Sequence, residues 1–327
     1  MKIGLIYDLI SSPAPDHGRF PADDDAELST QEEIQGLIHT LEEIGHSVIP
    51  VGNIHQLIHF IHTGQRVDLF FNYAVGRVGS TREAQIPSLL EALQLPYTGT
   101  DSFTLSLCID KVVVKKLWQA AGLPTPDYAV LKHTKQIDQT IFPEFPLFLK
   151  PAREGSSKGV SRRSLVQNMD DLCQQTAFLL DAYAQPVLVE KFISGREFYL
   201  GCVQSGEMAR PLGFVEVAQA PHKFCDYLTK KNWDENVFLP VESNALKTRL
   251  LDIGLRAYQA VDCRVIGRVD MRMDEEGRIY LLEINPNPSL DEKHSSMAAL
   301  AKFSGITFPN LLKMIINMAE EKWYPDR

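Results

Sequence analysis

Residues 268–288 read RVDMRMDEEGRIYLLEINPNP. Two alternating runs flank the turn-forming DEEG at 274–277, which is the signature of a β-hairpin. Residues two apart on a strand share a face. Arg268 therefore shares a face with Asp270, and Glu283 with Asn285. A turn spanning residues 274–279 sets Asp270 about opposite Glu283, so that two carboxylates and one amide oxygen converge. Hard oxygen donors without sulfur or imidazole suit Mg²⁺, which keeps water and substrate phosphate as its other ligands. Glu283 also sits in the apolar run IYLLEIN, where a carboxylate is costly unless it coordinates or pairs. The competing readings are a surface hairpin with outward charges and, for Arg268, a structural salt bridge to Asp270.

Two further segments lie upstream. In FLKPAREGSSKGV (148–160) a strand ends at Lys150 and delivers a loop with Gly155, Ser156, Ser157 and Gly159. Small residues let backbone N–H groups approach a phosphate, and hydroxyls add donors. The Walker pattern GxxxxGK[ST] is absent. In VLVEKFISGREF (187–198) a strand ends at Glu190 and Lys191, and Glu197 follows. A strand end of this kind can bond an adenine edge, and a carboxylate can hold ribose hydroxyls. Local pattern alone equally allows a surface ion pair.

The remaining chain frames these segments. Its 327 residues, 44% of them apolar, exceed one compact core, so two or three lobes are expected. A net charge of −9 argues against a constitutive nucleic-acid partner. No stretch reaches the roughly 18 apolar residues of a membrane span. The opening MKIGLIYDLI is too short and too interrupted for a signal peptide and reads as a buried strand. Cys108, Cys173, Cys202, Cys225 and Cys263 are odd in number and without CxxC spacing, which suits a reducing cytoplasm. Strands at 3–7, 47–51 and 67–71 alternate with a helix after Ser29 and Glu32, a short helix at 55–63 and another through 87–93. That alternation reads as a parallel α/β lobe. The turn after the first strand lacks GxGxxG, so a dinucleotide fold is disfavoured. Joints at PYTGTD (96–101) and near 183–186 divide the chain into lobes at 1–98, 99–187 and 188–327.

The order KPAREGSSKG, VLVEKFISGREF, GRVDMRMD, YLLEINPNP resembles the ATP-grasp superfamily and, within it, the D-alanine–D-alanine ligase family. PYTGTD, the IDK at 109–111 and AGLPTP add to the resemblance, which covers the chain from about Asn72 onward. It implies an α/β ATP-grasp fold of three lobes: an N-terminal parallel α/β lobe, then central and C-terminal α+β lobes that clamp ATP. It implies that Lys111, Lys150 and Ser157 contact ATP phosphates. Glu190, Lys191 and Ile193 would line the adenine pocket, Glu197 hold the ribose, Phe224 pack on adenine and Lys230 reach the γ-phosphate. Asp270, Glu283 and Asn285 would hold two Mg²⁺. Arg268 would polarise the oxygen under attack, and Ser156 would close over the intermediate. Ser295, Ser289, Asn72 and Lys231 would contact substrates. The implied chemistry is ADP-forming C–N ligation. ATP converts a poor electrophile into a phosphorylated one, an amine attacks, and phosphate leaves; Mg²⁺, lysines and an oxyanion donor stabilise the charge.

Four departures from that family pattern matter. SSPAPDHGRFPADDDAE replaces the Gly-rich first loop and its ammonium-anchoring glutamate, with Glu27 as the nearest carboxylate. NYAVGRVGSTRE replaces HGxxGEDG and brings in Arg77, Arg82 and Glu83. Lys230-Lys231 replaces a Lys-Tyr pair, and PNPSLDEKHSSM follows Asn285. Three of these lie on the first substrate's side, where the new arginines give an ammonium no partner. The first expectation is therefore a ligase of specialised metabolism, resembling enzymes that attach serine or threonine to mycosporine-glycine. The alternatives are a D-alanine–D-alanine ligase, an L-amino-acid dipeptide ligase and a non-catalytic ATP-binding module. Small-molecule substrates, no membrane partner, a homodimer and a cytoplasmic location complete the expectation.

Overall fold

The computed structural model describes residues 1–10, 21, 23–205, 208–218, 224 and 238–325. Three sheets organise it. The first is parallel, with β1 (Lys2–Ile6) between β2 (Ser47–Gly52) and β3 (Leu69–Asn72). Its strands are apolar on both faces, as a covered parallel sheet requires. Ile3, Leu5, Leu69 and Phe71 enter one core, while Ile6 and Phe70 enter another on the opposite side. The helix Gln31–Glu43 covers the first face with Ile34, Leu37 and Leu41. Its cap falls one residue after the Ser29 that the sequence pattern suggests. Thr30 Oγ1 accepts from Glu33 N at 3.1 Å, and Glu33 accepts from Thr30 N at 2.5 Å. Ser29 is held instead by its backbone, its N donating to Asp8 O at 2.9 Å. The C-terminal helix Phe308–Trp323 joins the same core through Leu311 and Ile315. Trp323 Nε1 donates to Tyr97 O at 3.1 Å, so the chain's end closes its first lobe.

The second sheet is antiparallel. β4 (Tyr128–Leu131), β5 (Leu147–Pro151), β6 (Leu165–Val166) and β7 (Val187–Lys191) lie in the order β4-β7-β5-β6. The helix Met169–Tyr183, capped by Asn168, packs Leu172 and Leu179 against it.

The third sheet is also antiparallel. β8 (Arg196–Ser205), β9 (Met208–Val217), β10 (Phe238–Leu239), β11 (Val265–Met273) and β12 (Ile279–Asn285) lie in the order β10-β9-β8-β11-β12. The helix Asn244–Gln259 covers one face with Leu246 and Leu250. The helix Ser296–Phe303 covers the other with Met297 and Leu300. Gly254 permits the close helix–sheet approach, since a Cβ there would lie 2.3 Å from Leu200 Cδ2. The second and third sheets face each other across a cleft, and the first lobe caps one end of it. Among the described residues no helix is long and apolar enough to cross a membrane.

Candidate active site

The β11–β12 hairpin forms the floor of the site. Its register pairs Asp270 with Glu283 and Arg268 with Asn285. Arg268 grips Asp270 through Nε–Oδ1 at 2.6 Å and Nη2–Oδ2 at 2.7 Å. Its Nη1 donates to Ser296 Oγ at 2.7 Å, and its guanidinium stacks 4.5 Å over the Tyr199 ring. The salt bridge to Asp270 is thus present, and the guanidinium is held rigidly at the cavity wall. Burial pushes the Asp270 carboxyl up to about 6; Arg268 opposes this, and Glu283 and Glu197 add to it. Asn285 Nδ2 lies 3.4 Å from Asp270 Oδ2. Two mutually repelling carboxylates and an amide on one face make a donor set of the chemistry a hard dication takes. Among the described residues no cluster of three His, Cys, Asp or Glu side chains is poised for a metal.

Lys111 and Lys115 lie one turn apart on the helix Lys111–Ala120, which Asp110 caps; Lys111 lines the cleft, and Lys115 is buried away from it. Lys111 Nζ donates to Glu154 O and lies 3.6 Å from Glu283 Oε2. Lys150, at the end of β5, contacts Glu190 Oε2 at 2.8 Å. Lys115 is fully buried, pairs with the other Glu190 oxygen and donates to Thr125 Oγ1 at 2.6 Å. Burial works against the Glu190 charge, yet Lys115 and Lys150 outweigh it and hold the carboxyl below its usual value. Burial lowers the Lys115 ammonium despite Glu190. The same burial is overcome at Lys150 by Glu190 and Glu283 together, and its ammonium is raised. Lys115 was not among the residues singled out from sequence; only its i,i+4 spacing from Lys111 could have marked it.

A cleft of about 860 Å³ collects most of the nucleotide candidates: Lys111, Lys150, Ser157, Glu190, Ile193 and Glu197. Lys191 and Phe224 line it too. Phe224 forms an aromatic cluster with Phe148 and Phe192 at centroid distances of 5.0 and 6.4 Å. Arg272 stacks 5.1 Å over Phe192. Glu197 Oε2 lies 3.4 Å from Arg272 Nε. Lys230 and Lys231 fall outside the described residues.

The glycine-rich loop turns through left-handed backbone at Ser156, Ser157 and Gly159. A Cβ at Gly159 would fall 2.4 Å from Pro151 Cγ, so the turn requires glycine. Its amides meet the first lobe. Gly155 N donates to Glu27 Oε1 at 2.7 Å, and Gly159 N donates to Asp23 Oδ2 at 2.8 Å. Arg82 Nη2 donates to both Glu27 oxygens at 2.9 and 2.8 Å and to Glu154 at 3.2 Å. Lys158 lies 3.6 Å from Glu27 and 2.9 Å from Glu154. Arg77 Nη2 donates to Asp24 at 2.5 Å. The arginines that the sequence brings into this region are therefore engaged by carboxylates of the same lobe. Burial opposes the Glu27 charge, but Arg82 and Lys158 hold its carboxyl below the usual range.

A second cavity of about 1600 Å³ lies among the three lobes. It shares Lys111, Glu154, Gly155, Tyr199 and Glu283 with the nucleotide cleft, so the two adjoin. Arg268, Asn285, Ser156, Ser289 and Ser295 line it. Asn72 does not: it is buried at the end of β3, and its neighbour Tyr73 lines the wall, sharing a 3.0 Å hydrogen bond with Ser289. Strand alternation explains that exchange, because adjacent residues face opposite ways. Ser295 is committed to capping, accepting from Ala298 N at 3.1 Å, and Ser296 is the hydroxyl that meets Arg268. Glu83 also lines this wall, beside Cys108, Ile109 and Lys111. It makes no hydrogen bond or ion pair with any described residue. It is screened from bulk water but open to the cavity. Burial, with Glu27 and Glu154 adding to it, pushes its carboxyl up to about 7 against Arg82 and Lys111.

Comparison with known proteins places this geometry. The family described as D-ala D-ala ligase C-terminus matches residues 117–317. The chain is 33% identical over 255 residues to D-alanine–D-alanine ligase B of Pseudomonas putida, covering 77% of this chain and 76% of that protein. It is 32% identical over 275 residues to the D-alanine–D-alanine ligase of Bordetella petrii, covering 80% and 81%. The crystal structure of the Bacillus anthracis D-alanine–D-alanine ligase complexed with ATP aligns over the whole of both chains with a TM-score of 0.77 at 23% identity. With its three sheets in the ATP-grasp arrangement and more than half its length matched, the chain belongs to the D-alanine–D-alanine ligase family of ATP-dependent, ADP-forming carbon–nitrogen ligases.

Proposed function

We propose that this ligase joins two amino acids, with D-alanine and D-alanine the favoured pair, using ATP and Mg²⁺ in the cytoplasm. The observation that carries this reading is the adjacency of the two cavities, which share Lys111 and Glu283 in their walls. A nucleotide in the smaller cleft would present its terminal phosphate to a substrate carboxylate in the larger one. The carboxylate oxygen bonds to phosphorus as ADP leaves; an amine then attacks the carbonyl carbon, loses a proton, and phosphate departs. Lys111 and Lys150 are placed to neutralise the transferring phosphate. Asp270, Glu283 and Asn285 would hold Mg²⁺, two ions by the family's habit, which would neutralise phosphate charge when bound. Arg268 is fixed by Asp270, Ser296 and Tyr199, as a preorganised oxyanion donor must be. Ser156 lies on the left-handed loop and lines the larger cavity.

The relatives named for D-alanine ligation favour this pair of substrates. The expectation of attachment to mycosporine-glycine rests on departures on the first substrate's side, where Arg77 and Arg82 give an ammonium no partner. That argument loses its basis here, since Arg77 and Arg82 are neutralised and Glu83 faces the cavity. ADP release with Mg²⁺ and ATP, across a panel of D- and L-amino acids with and without mycosporine-glycine, tests the reading. Turnover with D-alanine alone is the expected result. Turnover only when mycosporine-glycine is present would overturn it.

A further inference from the structure

Five residues stand in the walls of both cavities, Lys111, Glu154, Gly155, Tyr199 and Glu283, and Tyr199 is the one aromatic ring among them. β8 pairs with β11 so that Glu197, Tyr199 and Gly201 lie opposite Arg272, Asp270 and Arg268. Residues two apart on a strand share a face, so all six stand on one side of the sheet. Gly201 offers Arg268 no side chain across the ladder. Arg268 turns instead to its diagonal neighbour, and its guanidinium lies 4.5 Å over the Tyr199 ring. At its other end Tyr199 donates from its hydroxyl to Glu197 Oε1 at 3.1 Å. The second oxygen of Glu197 lies 3.4 Å from Arg272 Nε. Tyr199 is 7% exposed, so both of its contacts are made away from bulk water, where each is stronger than on a surface. One buried side chain thus touches the carboxylate placed for a ribose and the guanidinium placed for an oxyanion.

Resting on the readings of Glu197 as the ribose carboxylate and Arg268 as the oxyanion donor, we infer that Tyr199 is a positioning residue for both, and that its hydroxyl sets the enzyme's selectivity for a ribonucleotide. A carboxylate accepts hydrogen bonds along several lone-pair directions. The Tyr199 hydroxyl takes one of them on Oε1 while Arg272 stands at Oε2, which fixes the plane in which Glu197 meets a sugar hydroxyl. Without the tyrosine hydroxyl that plane is free to turn, and a nucleotide must order it on binding, which weakens the contribution of the sugar hydroxyl. A ring without its hydroxyl still lies under Arg268. The two duties therefore reside in different parts of one side chain and separate by mutation. Tyr199→Phe removes the first, and Tyr199→Leu removes both.

Calorimetric titration of the full-length protein with Mg²⁺ compares ADP with 2′-deoxy-ADP and 3′-deoxy-ADP. Wild type is expected to bind ADP at least ~10-fold more tightly than the analogue it rejects more, the margin of one hydrogen bond to a charged group. Tyr199→Phe is expected to narrow that margin at least ~threefold. Its kcat for ADP release, with the amino acid that turns over fastest, should stay within about twofold of wild type. Tyr199→Leu is expected to narrow the margin equally and to lower kcat about tenfold or more, because the guanidinium loses its ring. A tyrosine that only fills space would weaken all three nucleotides alike and leave the margin standing. A margin that survives in Tyr199→Phe therefore overturns the inference, as does a Tyr199→Phe protein whose kcat falls as far as that of Tyr199→Leu. Phenylalanine is nearly isosteric, so the ribose half is decided even where Tyr199→Leu melts early, and Tyr199→Met then carries the second half. The underlying readings fail separately: that of Glu197 if wild type binds all three nucleotides alike, and that of Arg268 if Arg268→Lys keeps the wild-type kcat. In either case the inference falls with its premise.

Discussion

Replacing Lys115 with methionine isolates what holds the floor of the nucleotide cleft. Glu190 is buried between Lys115 and Lys150 and bonds to both. Removing one partner of a buried ion pair costs on the order of 3–5 kcal/mol, because the other charge is left uncompensated. Lys150 remains 2.8 Å from Glu190, so the loss is smaller here, about 2–3 kcal/mol. At roughly 2–4 °C per kcal/mol for a unit of this size, the melting temperature should fall by about 5–10 °C. Function should respond in a specific way. With Lys115 gone, Glu190 holds Lys150 more firmly, and that ammonium is less available to a phosphate. KM for ATP should rise about tenfold, with kcat changed less. Differential scanning fluorimetry and initial-rate kinetics on Lys115→Met, Glu190→Gln and the double variant give both readouts. The double variant should cost about 2 kcal/mol less than the sum of the single ones, since the two residues share one interaction. Additive losses, or a Lys115→Met protein that melts within a degree of wild type, would refute the shared-charge account.

Glu83→Gln should stabilise the ligand-free protein at pH 8 and leave it unchanged near pH 4.5. The folded carboxyl sits at about 7, above its unfolded value near 4.5, so the wild type's stability from this group is complete below that lower value and is lost as pH rises through about 7. The difference has a ceiling of about 3 kcal/mol, with Arg82, Lys111, Glu27 and Glu154 the charges that face it; denaturation series at the two pH values measure it. Arg268→Lys should lower kcat by roughly 10²–10³ without a matching rise in KM, because a point charge cannot keep the fork to Asp270 and also reach Ser296. Gly159→Ala should cost about 1–2 kcal/mol and raise KM for ATP, since the loop needs φ near +75° and a Cβ would meet Pro151; unchanged ATP kinetics would show that the loop's shape does not matter to the nucleotide.

Period and punctuation carried much of the architecture into the sequence. The DEEG turn and its flanking alternation mark the β11–β12 hairpin, but the turn-side register would set Asp270 opposite Leu282, and only the irregularity between Asp270 and Met271 brings it opposite Glu283. What stayed hidden depended on distant partners. Ser29 and Thr30 both stand three residues before a glutamate, and only the Asp8–Ser29 backbone contact selects Thr30 as the cap. Ser295 and Ser296 are interchangeable in composition, yet the helix start takes one hydroxyl and leaves the other to Arg268. Asn72 ends β3 buried, and it is the next residue, Tyr73, that lines the cavity. Lys115 reads as one more helix lysine until Glu190, seventy-five residues later, is folded against it.

The two arginines show why a charge counted along the chain misleads about the charge felt in a cavity. Read in order, Arg77 and Arg82 make the first lobe's wall basic and hostile to an ammonium. In the fold, each is neutralised by an acid from the Asp24–Glu27 turn, and Arg82 also reaches Glu154 across the lobe boundary. Three carboxylates and two guanidinium groups thus form a closed network, joined by Lys158, that contributes little net field to the cavity. Beside that network the cavity wall carries Glu83 and Lys111, one acidic and one basic. A substrate entering from this side meets arginines that are already engaged, so their presence in the sequence does not by itself exclude an ammonium from this wall.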